Sequence, residues 1–494
     1  MNKKFYITSS LPYINSDPHL GFALELVQAD VIARYHQLSG DDVIFNTGTD
    51  EHGLKVYRRA EEVGKSPKSY ADEYAEKFKN LAKTLNISIT HFIRTTDERH
   101  KRAAQVFWER CFKNGDIYKA KYKIKYCVGC ELEKTESELE NGCCPLHPNL
   151  PIEEIEEENY FFKFSKYQKP LLKFYENNPN FVIPDFRFNE IKRFVEGGLK
   201  DFSISRLASK LPWGVSVPGD HDHVMFVWFD ALINYISTLG WPDDEKIFSE
   251  FWPGVQIAGK DNLRQQSAMW QAMLMSAGLP NSRQILIHGF ITVDGQKISK
   301  SLGNVIDPFH LVKKYGVDPV RYYLLREIPS HEDGDFSYQK FEARYNADLA
   351  NNLGNLVSRV VALIEKFFNG SFAYSRKFVL KEVDDKVIDT WKKYNENINN
   401  FKLYIALESV FSLADFVNLY IDENKPWALS ENPERLNVVI TNLVVILLNI
   451  AWFLKPFLPE TSDRIFEVLG ADKNGNSWEE KPFKVKPQIL FPKI

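Results

Sequence analysis

The chain has 494 residues, of which 44% are hydrophobic and 14% aromatic, and its formal net charge at pH 7 is −4. That length suggests about three domains, and the charge excludes a protein that binds nucleic acid by bulk positive charge, although a local basic face can still contact phosphates. The N-terminal stretch MNKKFYITSSLPYI has neither a signal-peptide core nor transit-peptide composition. Few, clustered cysteines are typical of a reducing compartment, so we expect a cytoplasmic protein.

The first hundred residues alternate between strand and helix patterns. KKFYITSS, DDVIFNTGTD and HFIRTTD have the pattern of strands, and FALELVQADVIARYHQLSG places Leu24, Val27 and Val31 on one helical face, with Gly40 as its stop. Two more helical patterns separate the second and third strands. Alternation of this kind predicts a parallel sheet with helices on its faces.

The pattern changes near Ile117. IYKAKYKIKYC alternates like a β-ribbon, a cysteine cluster follows, and then comes the acidic segment EEIEEENYFFKF. Strand–helix alternation resumes at VMFVWFDALINYI, GVQIAGKDN and QILIHGFITV. We therefore expect an insert at residues 116–200 that splits the parallel sheet.

The last third of the chain has helical periodicity and contains no proline from His331 to Lys425, which predicts an α-helical bundle. The segment Leu436–Leu454 is uncharged and nearly long enough to span a bilayer. Polar residues such as Asn442 and Asn449 interrupt it, and polar groups are costly in lipid. We expect a buried helix of the bundle and no membrane contact.

The cysteine cluster has the spacing of a metal site. Cys127-x2-Cys130 and Cys144-x2-His147 form a Cys3His set of the kind that binds tetrahedral zinc. Cys143 lacks the x2 spacing to His147. Four protein ligands leave no open position for substrate, so we expect a structural zinc that folds a small insert; reduced core cysteines are the alternative.

Two loops have residues suited to phosphate. In PYINSDPHLGFALE a strand, a turn and a helix start follow one another, and a helix N-terminus at His19 and Gly21 favours anions. In DGQKISKSLGN, Lys297 and Lys300 form a cationic arm that could stabilise charge on a leaving pyrophosphate. Taken singly, each loop is more often an ordinary surface loop.

Together, these motifs carry a resemblance to a known family. LPYINSDPHLG, TGTDEHG, the cysteine cluster, VWFDALINY, GKD and DGQKISKSLGN resemble, in order and spacing, the motifs of the methionyl-tRNA synthetases, which are class I aminoacyl-tRNA synthetases. The class signatures read His-Ile-Gly-His and Lys-Met-Ser-Lys-Ser, and Phe22 departs from the first. The resemblance implies an α/β fold: a Rossmann-like parallel-sheet catalytic domain split by a zinc-binding insert, followed by an α-helical anticodon-binding bundle.

The resemblance also implies domain boundaries and site residues. The expected domains are the two catalytic halves 1–115 and 201–290, the connective insert with the zinc knuckle 116–200, the signature-loop and stem-contact region 291–340 and the anticodon-binding domain 341–494. ATP contacts are implied at Pro12, Tyr13, His19, Gly21, Phe22, Gly259, Asp261, Lys297, Lys300 and Ser301. Methionine contacts are implied at Leu11, Tyr13, Asp50, Trp228, Ala231, Leu232, Tyr235 and Trp270. Anticodon contacts are implied at Asn355, Arg359 and Trp427. Asn262 and Gln266 depart from the family, which often has an apolar residue and a histidine there.

The implied reaction is the ATP-dependent ligation of L-methionine to tRNA(Met) through methionyl-adenylate, with Mg²⁺ accompanying ATP and His19, Lys297 and Lys300 as its catalytic residues. The rival readings are another class I synthetase such as the cysteine enzyme, a non-catalytic RNA-binding relative and a generic nucleotidyltransferase. The ATP-site residues argue against the second, and the helical module argues against the third. The chain ends at KPQILFPKI without a dimerising appendix, and we expect a monomer.

Lys300→Ala tests the transition-state role of the cationic loop. We expect the rate of adenylate formation to fall by about 10²-fold or more while the affinity for ATP changes little, because the ammonium group stabilises charge that develops only during the reaction. Single-turnover adenylate formation and equilibrium ATP binding measure the two quantities. Equal losses in both would contradict the role.

Overall fold

The computed structural model describes residues 2–130, 132–134, 138–298, 303–373, 375–472 and 482–494. The chain forms two compact units. The first contains Met1–Pro18, His36–Lys83 and Ser88–His288, and the second contains His19–Tyr35, Thr84–Ile87 and Gly289–Ile494.

The strands are β1 (Lys4–Ser9), β2 (Asp42–Thr49), β3 (His91–Arg94), β4 (Ile117–Cys127), β5 (Leu132–Lys134), β6 (Glu153–Phe162), β7 (Val182–Ile183), β8 (Phe202–Ser203), β9 (Ser205–Leu207), β10 (Ser216–Val217), β11 (Asp220–Met225), β12 (Val255–Gly259), β13 (Gln284–His288), β14 (Ile291–Val293), β15 (Gln296–Lys297), β16 (Gly334–Phe336), β17 (Ser371–Phe372) and β18 (Phe483–Lys484). The α-helices are α1 (Leu20–Leu38), α2 (Leu54–Glu62), α3 (Pro67–Thr84), α4 (Glu98–Lys113), α5 (Gln168–Asn177), α6 (Asp185–Glu196), α7 (Val227–Ala231), α8 (Asn234–Ser237), α9 (Glu245–Phe251), α10 (Trp270–Ser276), α11 (Pro308–Tyr315), α12 (Val317–Arg326), α13 (Tyr338–Arg344), α14 (Asn355–Phe368), α15 (Lys381–Asn399), α16 (Leu403–Asn424), α17 (Pro433–Leu454) and α18 (Pro459–Leu469). Two π-helical segments, Gln265–Met269 and Tyr345–Gly354, lead into α10 and α14.

A six-stranded parallel sheet forms the centre of the first unit, in the order β3-β2-β1-β12-β13-β7. The chain moves outward from β1 to β3 on one side and from β12 to β13 on the other. The strand order therefore reverses between β1 and β12, and in open parallel sheets ligands bind outside the carboxyl ends of the strands at such a reversal. The predicted split parallel sheet is confirmed.

The predicted β-ribbon is present. β4 and β6 pair in antiparallel register from Ile117↔Phe162 to Tyr126↔Glu153, and β5 and β8 extend this sheet. β7 also falls within 116–200, but it pairs with β13 in the parallel sheet. The chain thus returns to the main sheet before α6 begins.

Asp116 ties the base of the ribbon to the core. Its buried carboxylate accepts hydrogen bonds from Asn114, Tyr167 and Ser276 and is paired with Lys166 Nζ at 2.5 Å. Asp116 directly precedes β4, and Lys166 and Tyr167 follow β6 closely. Both connections of the ribbon are therefore held at one point.

The second unit is largely helical and includes the last third of the chain, for which helical periodicity predicts a bundle. By length and composition, two helices of the described residues, Leu403–Ala428 and Pro433–Leu454, could cross a membrane, and 50% and 72% of their most apolar windows are buried inside the protein. The second of these helices begins at Pro433, and the Asn432 side chain caps it by accepting a hydrogen bond from Arg435 N–H. Because most of its apolar stretch is buried inside the protein, α17 has the character of a core helix.

A buried arginine joins four segments of the second unit. Arg321 on α12 is fully buried and pairs with Asp30 of α1 at 2.7 Å. Its other N–H groups donate to the carbonyl oxygens of Leu85, Pro456 and Phe457 at 2.8–3.1 Å. A guanidinium group supplies five donors in a fixed plane, which suits it to satisfy several acceptors at once in a dry site.

Asp318 allows a pH test of the second unit. Burial raises the pKa of Asp318 to about 6, although the Thr461 N–H and Arg321 act in the opposite direction. In the unfolded chain, an aspartate carboxyl has a pKa near 3.9. Because the pKa is higher in the folded protein, ionisation of Asp318 lowers the free energy of unfolding above pH 6, and this loss is absent below about pH 4. Between pH 4 and pH 7 we expect wild type to lose roughly 3 kcal/mol of unfolding free energy relative to Asp318→Asn.

Denaturant unfolding of both proteins across that pH range measures this difference. Asp385→Asn on α15 is the matched control, since Asp385 is exposed and pairs with Lys381 on the surface. A constant difference between wild type and Asp318→Asn at all pH values would show that Asp318 titrates normally.

Candidate active site

The segments that follow β1 and β2 pair with each other at the strand reversal. Pro12 O accepts the Asp50 N–H at 3.0 Å, and Ile14 N–H donates to Asp50 O at 3.3 Å. On the other side, Ser10 N–H donates to Ile257 O of β12 at 3.0 Å. These main-chain bonds hold the predicted contacts Leu11, Pro12, Tyr13 and Asp50 at one edge of the sheet.

Aromatic and apolar side chains surround this edge. Trp228 packs edge-on against Tyr13, with 6.1 Å between ring centroids, and Tyr235 packs against Trp270 at 6.0 Å. Ala231, Leu232, Tyr235 and Trp270 are buried, and the indole N–H groups of Trp228 and Trp270 have no hydrogen-bond partner among the described residues. The geometry therefore brings together most of the predicted methionine contacts, although Trp270 itself is fully buried among core aromatic rings.

Gln266, which departs from the family, is part of a buried amide chain. Its Nε2 donates to Tyr235 OH at 2.6 Å, and its Oε1 accepts from Gln256 Nε2 at 2.9 Å. Gln256 in turn accepts a hydrogen bond from Ser282. Glutamine is therefore fixed at this position through both ends of its amide, and it orients the Tyr235 hydroxyl.

A buried aspartate joins the two segments that carry most of the predicted pocket. Asp230, two residues after Trp228, contacts His52 Nδ1 at 2.5 Å and His100 Nε2 at 2.8 Å, and His100 Nδ1 lies 2.9 Å from Ser237 Oγ. Burial alone would raise the pKa of Asp230, but the two imidazoles hold it well below its ordinary value. This network fastens α7 to the segment that follows β2.

Glu51 is a second buried carboxylate beside Asp50. It accepts two bonds from Arg94, at 2.7 and 2.9 Å, together with bonds from the Thr49 and Thr96 hydroxyls. Bidentate pairing with arginine satisfies a carboxylate that would otherwise be costly to bury. Glu51, His52 and Asp230 stand within the sequence motifs, but the motifs alone do not indicate these contacts.

The predicted metal ligands lie together. One donor atom from each of Cys127, Cys130, Cys144 and His147 lies within 4.8 Å of the others. Gly129 is required here, because a Cβ at this position would lie 2.4 Å from the imidazole of His147. Cys143 pairs through its backbone with Glu140 and is not a member of the cluster. A Cys3His set in this arrangement fits a four-coordinate metal ion.

The start of the knuckle packs on the predicted pocket. Tyr126 and Phe226 form a small buried cluster, against which Tyr13, Val128 and Trp228 pack. Tyr126 directly precedes the first metal ligand. The start of the knuckle thus packs against two predicted methionine contacts, Tyr13 and Trp228.

The predicted ATP contacts fall in both units. In the first, Gly259 ends β12, and Asp261 lies in the exposed turn that follows. In the second, Gly21 N–H donates to His19 Nδ1 at 3.1 Å, and a Cβ on Gly21 would lie 3.0 Å from the same imidazole. Glycine there leaves room for His19, which the sequence alone did not indicate.

The backbone of Lys297 pairs with Thr292 in the β14–β15 hairpin. Lys300 and Ser301 lie outside the described residues.

The predicted anticodon residues lie in the helical part of the second unit. Asn355 and Arg359 are one turn apart on α14, and Arg359 donates to Asn418 at 3.3 Å and to Asp422 at 2.6 Å. Trp427 lies in a short 3-10 helix after α16 and is 49% exposed. An exposed tryptophan near the end of a helix is available for stacking.

Comparisons with known proteins agree with this geometry. A family model described as tRNA synthetases class I (M) matches residues 5–149 and 132–361, and a model described as the anticodon-binding domain of tRNA ligase matches residues 381–490. Methionine–tRNA ligase of Thermotoga maritima is 45% identical over 490 residues, covering 97% of this chain and 76% of that protein. Methionine–tRNA ligase of Brucella melitensis is 42% identical over 480 residues, covering 95% and 92%.

Among solved structures, Mycobacterium tuberculosis methionyl-tRNA synthetase in complex with methionyl-adenylate superposes with a TM-score of 0.93 at 36% identity, covering 99% of this chain and 100% of that one. The predicted class I architecture and the predicted resemblance are confirmed. The chain belongs to the methionine group of the class I tRNA synthetases.

Proposed function

We propose that this chain ligates L-methionine to tRNA(Met) with ATP, through methionyl-adenylate, releasing AMP and pyrophosphate. The observation that carries the proposal is the close structural match, over nearly the whole chain, to a synthetase bound to methionyl-adenylate. The strand reversal with its aromatic walls lies where a ligand of this kind binds in a parallel sheet.

In the first step, the methionine carboxylate attacks the α-phosphorus of ATP and pyrophosphate leaves. Asp50 holds the substrate ammonium group, while Leu11, Tyr13, Trp228, Ala231, Leu232, Tyr235 and Trp270 form the thioether pocket. Sulfur packs well against aromatic rings and is a weak acceptor, so the indole N–H of Trp228 suits it. No protein nucleophile is needed, because positioning and charge stabilisation lower the barrier.

The ATP contacts are Pro12, Tyr13, His19, Gly21, Phe22, Gly259, Asp261 and Ser301, together with Lys297 and Lys300. His19, Lys297 and Lys300 stabilise the phosphates as charge develops, and Asp261 binds the ribose. Mg²⁺ bound with ATP would neutralise pyrophosphate oxygens. In the second step, a hydroxyl of the terminal adenosine of tRNA attacks the acyl carbon of the adenylate and AMP leaves.

Cys127, Cys130, Cys144 and His147 would hold one Zn²⁺, since thiolate and imidazole donors are those that zinc prefers. Bound there, zinc would fix the fold of the knuckle and leave no open position for substrate. This argues against a cysteinyl-tRNA synthetase, whose zinc must reach the substrate thiol.

Asn355, Arg359 and Trp427 would read splayed anticodon bases by edge contacts and stacking. We further propose a cytoplasmic monomer without membrane contact.

ATP–pyrophosphate exchange with each of the twenty amino acids, without tRNA, tests the proposed reaction. We expect methionine to support exchange far above the others, because a flexible thioether packs well against the aromatic side chains of the proposed pocket. Exchange driven by a different amino acid would support a class I synthetase but contradict methionine as its substrate.

The metal proposal is tested by a matched pair of cysteine variants. Cys130→Ser should lose most of its bound zinc and lower the melting temperature, whereas Cys143→Ser should keep one zinc per chain, because Cys143 lies outside the cluster. Elemental analysis of the purified proteins measures both. Zinc loss in Cys143→Ser equal to that in Cys130→Ser would contradict the assigned ligand set.

A further inference from the structure

A cavity of about 340 Å³ lies in the first unit beside the end of the β4–β6 ribbon that leads into the knuckle. Tyr126 and Phe226 form part of its wall, Arg58 and Lys210 contribute cationic groups, and Glu153 and Glu157 contribute carboxylates. None of the predicted ATP or methionine contacts lines it. The cavity is therefore separate from the adenylate site.

Glu157 lacks the hydrogen bonds that a buried carboxylate needs. The residue is 7% exposed, and neither carboxylate oxygen has a hydrogen-bond partner among the described residues. The Lys210 ammonium group lies 3.9 Å from Oε2, which is an ion pair beyond hydrogen-bond distance. Glu51, which is also buried, has both oxygens satisfied. Buried acceptors are nearly always hydrogen-bonded, so this carboxylate is suited to accept a hydrogen bond from a ligand.

The chemistry of the cavity matches a nucleotide. Arg58 and Lys210 are about half exposed and suit a phosphate, while aromatic side chains suit the face of a base. The guanidinium group of Arg206 lies over the ring of Phe226, 4.0 Å from its centroid, and adds to this aromatic surface. A glutamate pairs with the exocyclic amino group of cytosine in nucleic-acid recognition.

Its position indicates which nucleotide. Tyr126 and Phe226 are also the residues against which Tyr13 and Trp228 pack, so the cavity shares a wall with the proposed methionine pocket. In the proposed reaction, the terminal adenosine of tRNA must reach the acyl carbon in that pocket. The nucleotide that precedes this adenosine in every tRNA is a cytidine.

We propose that this cavity binds the cytidine next to the terminal adenosine of tRNA, and that Glu157 accepts a hydrogen bond from its 4-amino group. The proposal rests on the proposed function. Glu157 would then be a positioning residue for the second step, because it aligns the 3′ end without touching the reacting atoms.

Transfer of methionine from preformed adenylate to tRNA tests this in the full chain, with Glu157→Gln compared with Glu158→Gln. Glu158 is the next residue on β6, is exposed and lies 3.9 Å from Lys119 on the surface. We expect Glu157→Gln to lower kcat/KM for tRNA by about 10-fold or more through loss of a charge-assisted bond, with ATP–pyrophosphate exchange kept within about twofold. Glu158→Gln should change neither.

A tRNA that carries 2-pyrimidinone riboside, which lacks the 4-amino group, in place of that cytidine completes a double-mutant cycle. We expect wild type to lose more activity on this tRNA than Glu157→Gln does, because the neutral glutamine carbonyl accepts only a weaker bond from the 4-amino group. Additive losses would overturn the contact, as would unchanged transfer by Glu157→Gln. An equal loss of exchange and transfer would show a structural role only.

Free cytidine monophosphate is the other source of the same chemistry. If it inhibits wild type through a site lost in Glu157→Gln while tRNA charging by the variant is normal, the cavity binds a free nucleotide and the tRNA contact is overturned. If wild type shows no methionine-dependent exchange, the proposed function fails; calorimetric titration of wild type and Glu157→Gln with the 3′-end trinucleotide CCA then decides the site independently.

Discussion

The pairing of β1 with β12 is the constraint on which the first unit depends. It joins Ile7, Thr8 and Ser9 to residues 255–257 in parallel register, across the whole insert. Parallel strands leave their carboxyl ends at one edge, so this single ladder places the loop after β1 next to the turn after β12. The strand reversal, and with it a site for a nucleotide-like ligand, follows from that register.

Buried charge then fixes what the sheet has placed. Asp230 between two imidazoles and Glu51 on Arg94 are costly to bury alone, but each is paired and hydrogen-bonded in full. Both lie directly beside residues proposed to contact the substrate. Because such networks tolerate few alternative arrangements, they hold the walls of the pocket in one geometry before any ligand binds.

The insert contributes to the site through packing. Asp116 ties both connections of the ribbon to the core, and the knuckle begins where Tyr126 packs beside Tyr13 and Trp228. A segment this small cannot form a large core of its own, and a bound metal ion would stabilise its fold. The one buried carboxylate of the ribbon that the described residues leave without a donor, Glu157, lies in the same region.

The sequence by itself determined the split parallel sheet, the helical last third and the candidate metal-ligand cluster, because these depend on local periodicity and on spacing along the chain. It also supplied the motif residues, since His19, Asp50 and Lys300 stand in short segments that can be recognised without coordinates. Only the tertiary structure decided which side chains complete the site. Asp230 lies 178 residues from His52, and Glu51 lies 43 residues from Arg94. Local pattern carries no information about pairs so far apart, because the sheet register and the packing of helices on its faces bring them together.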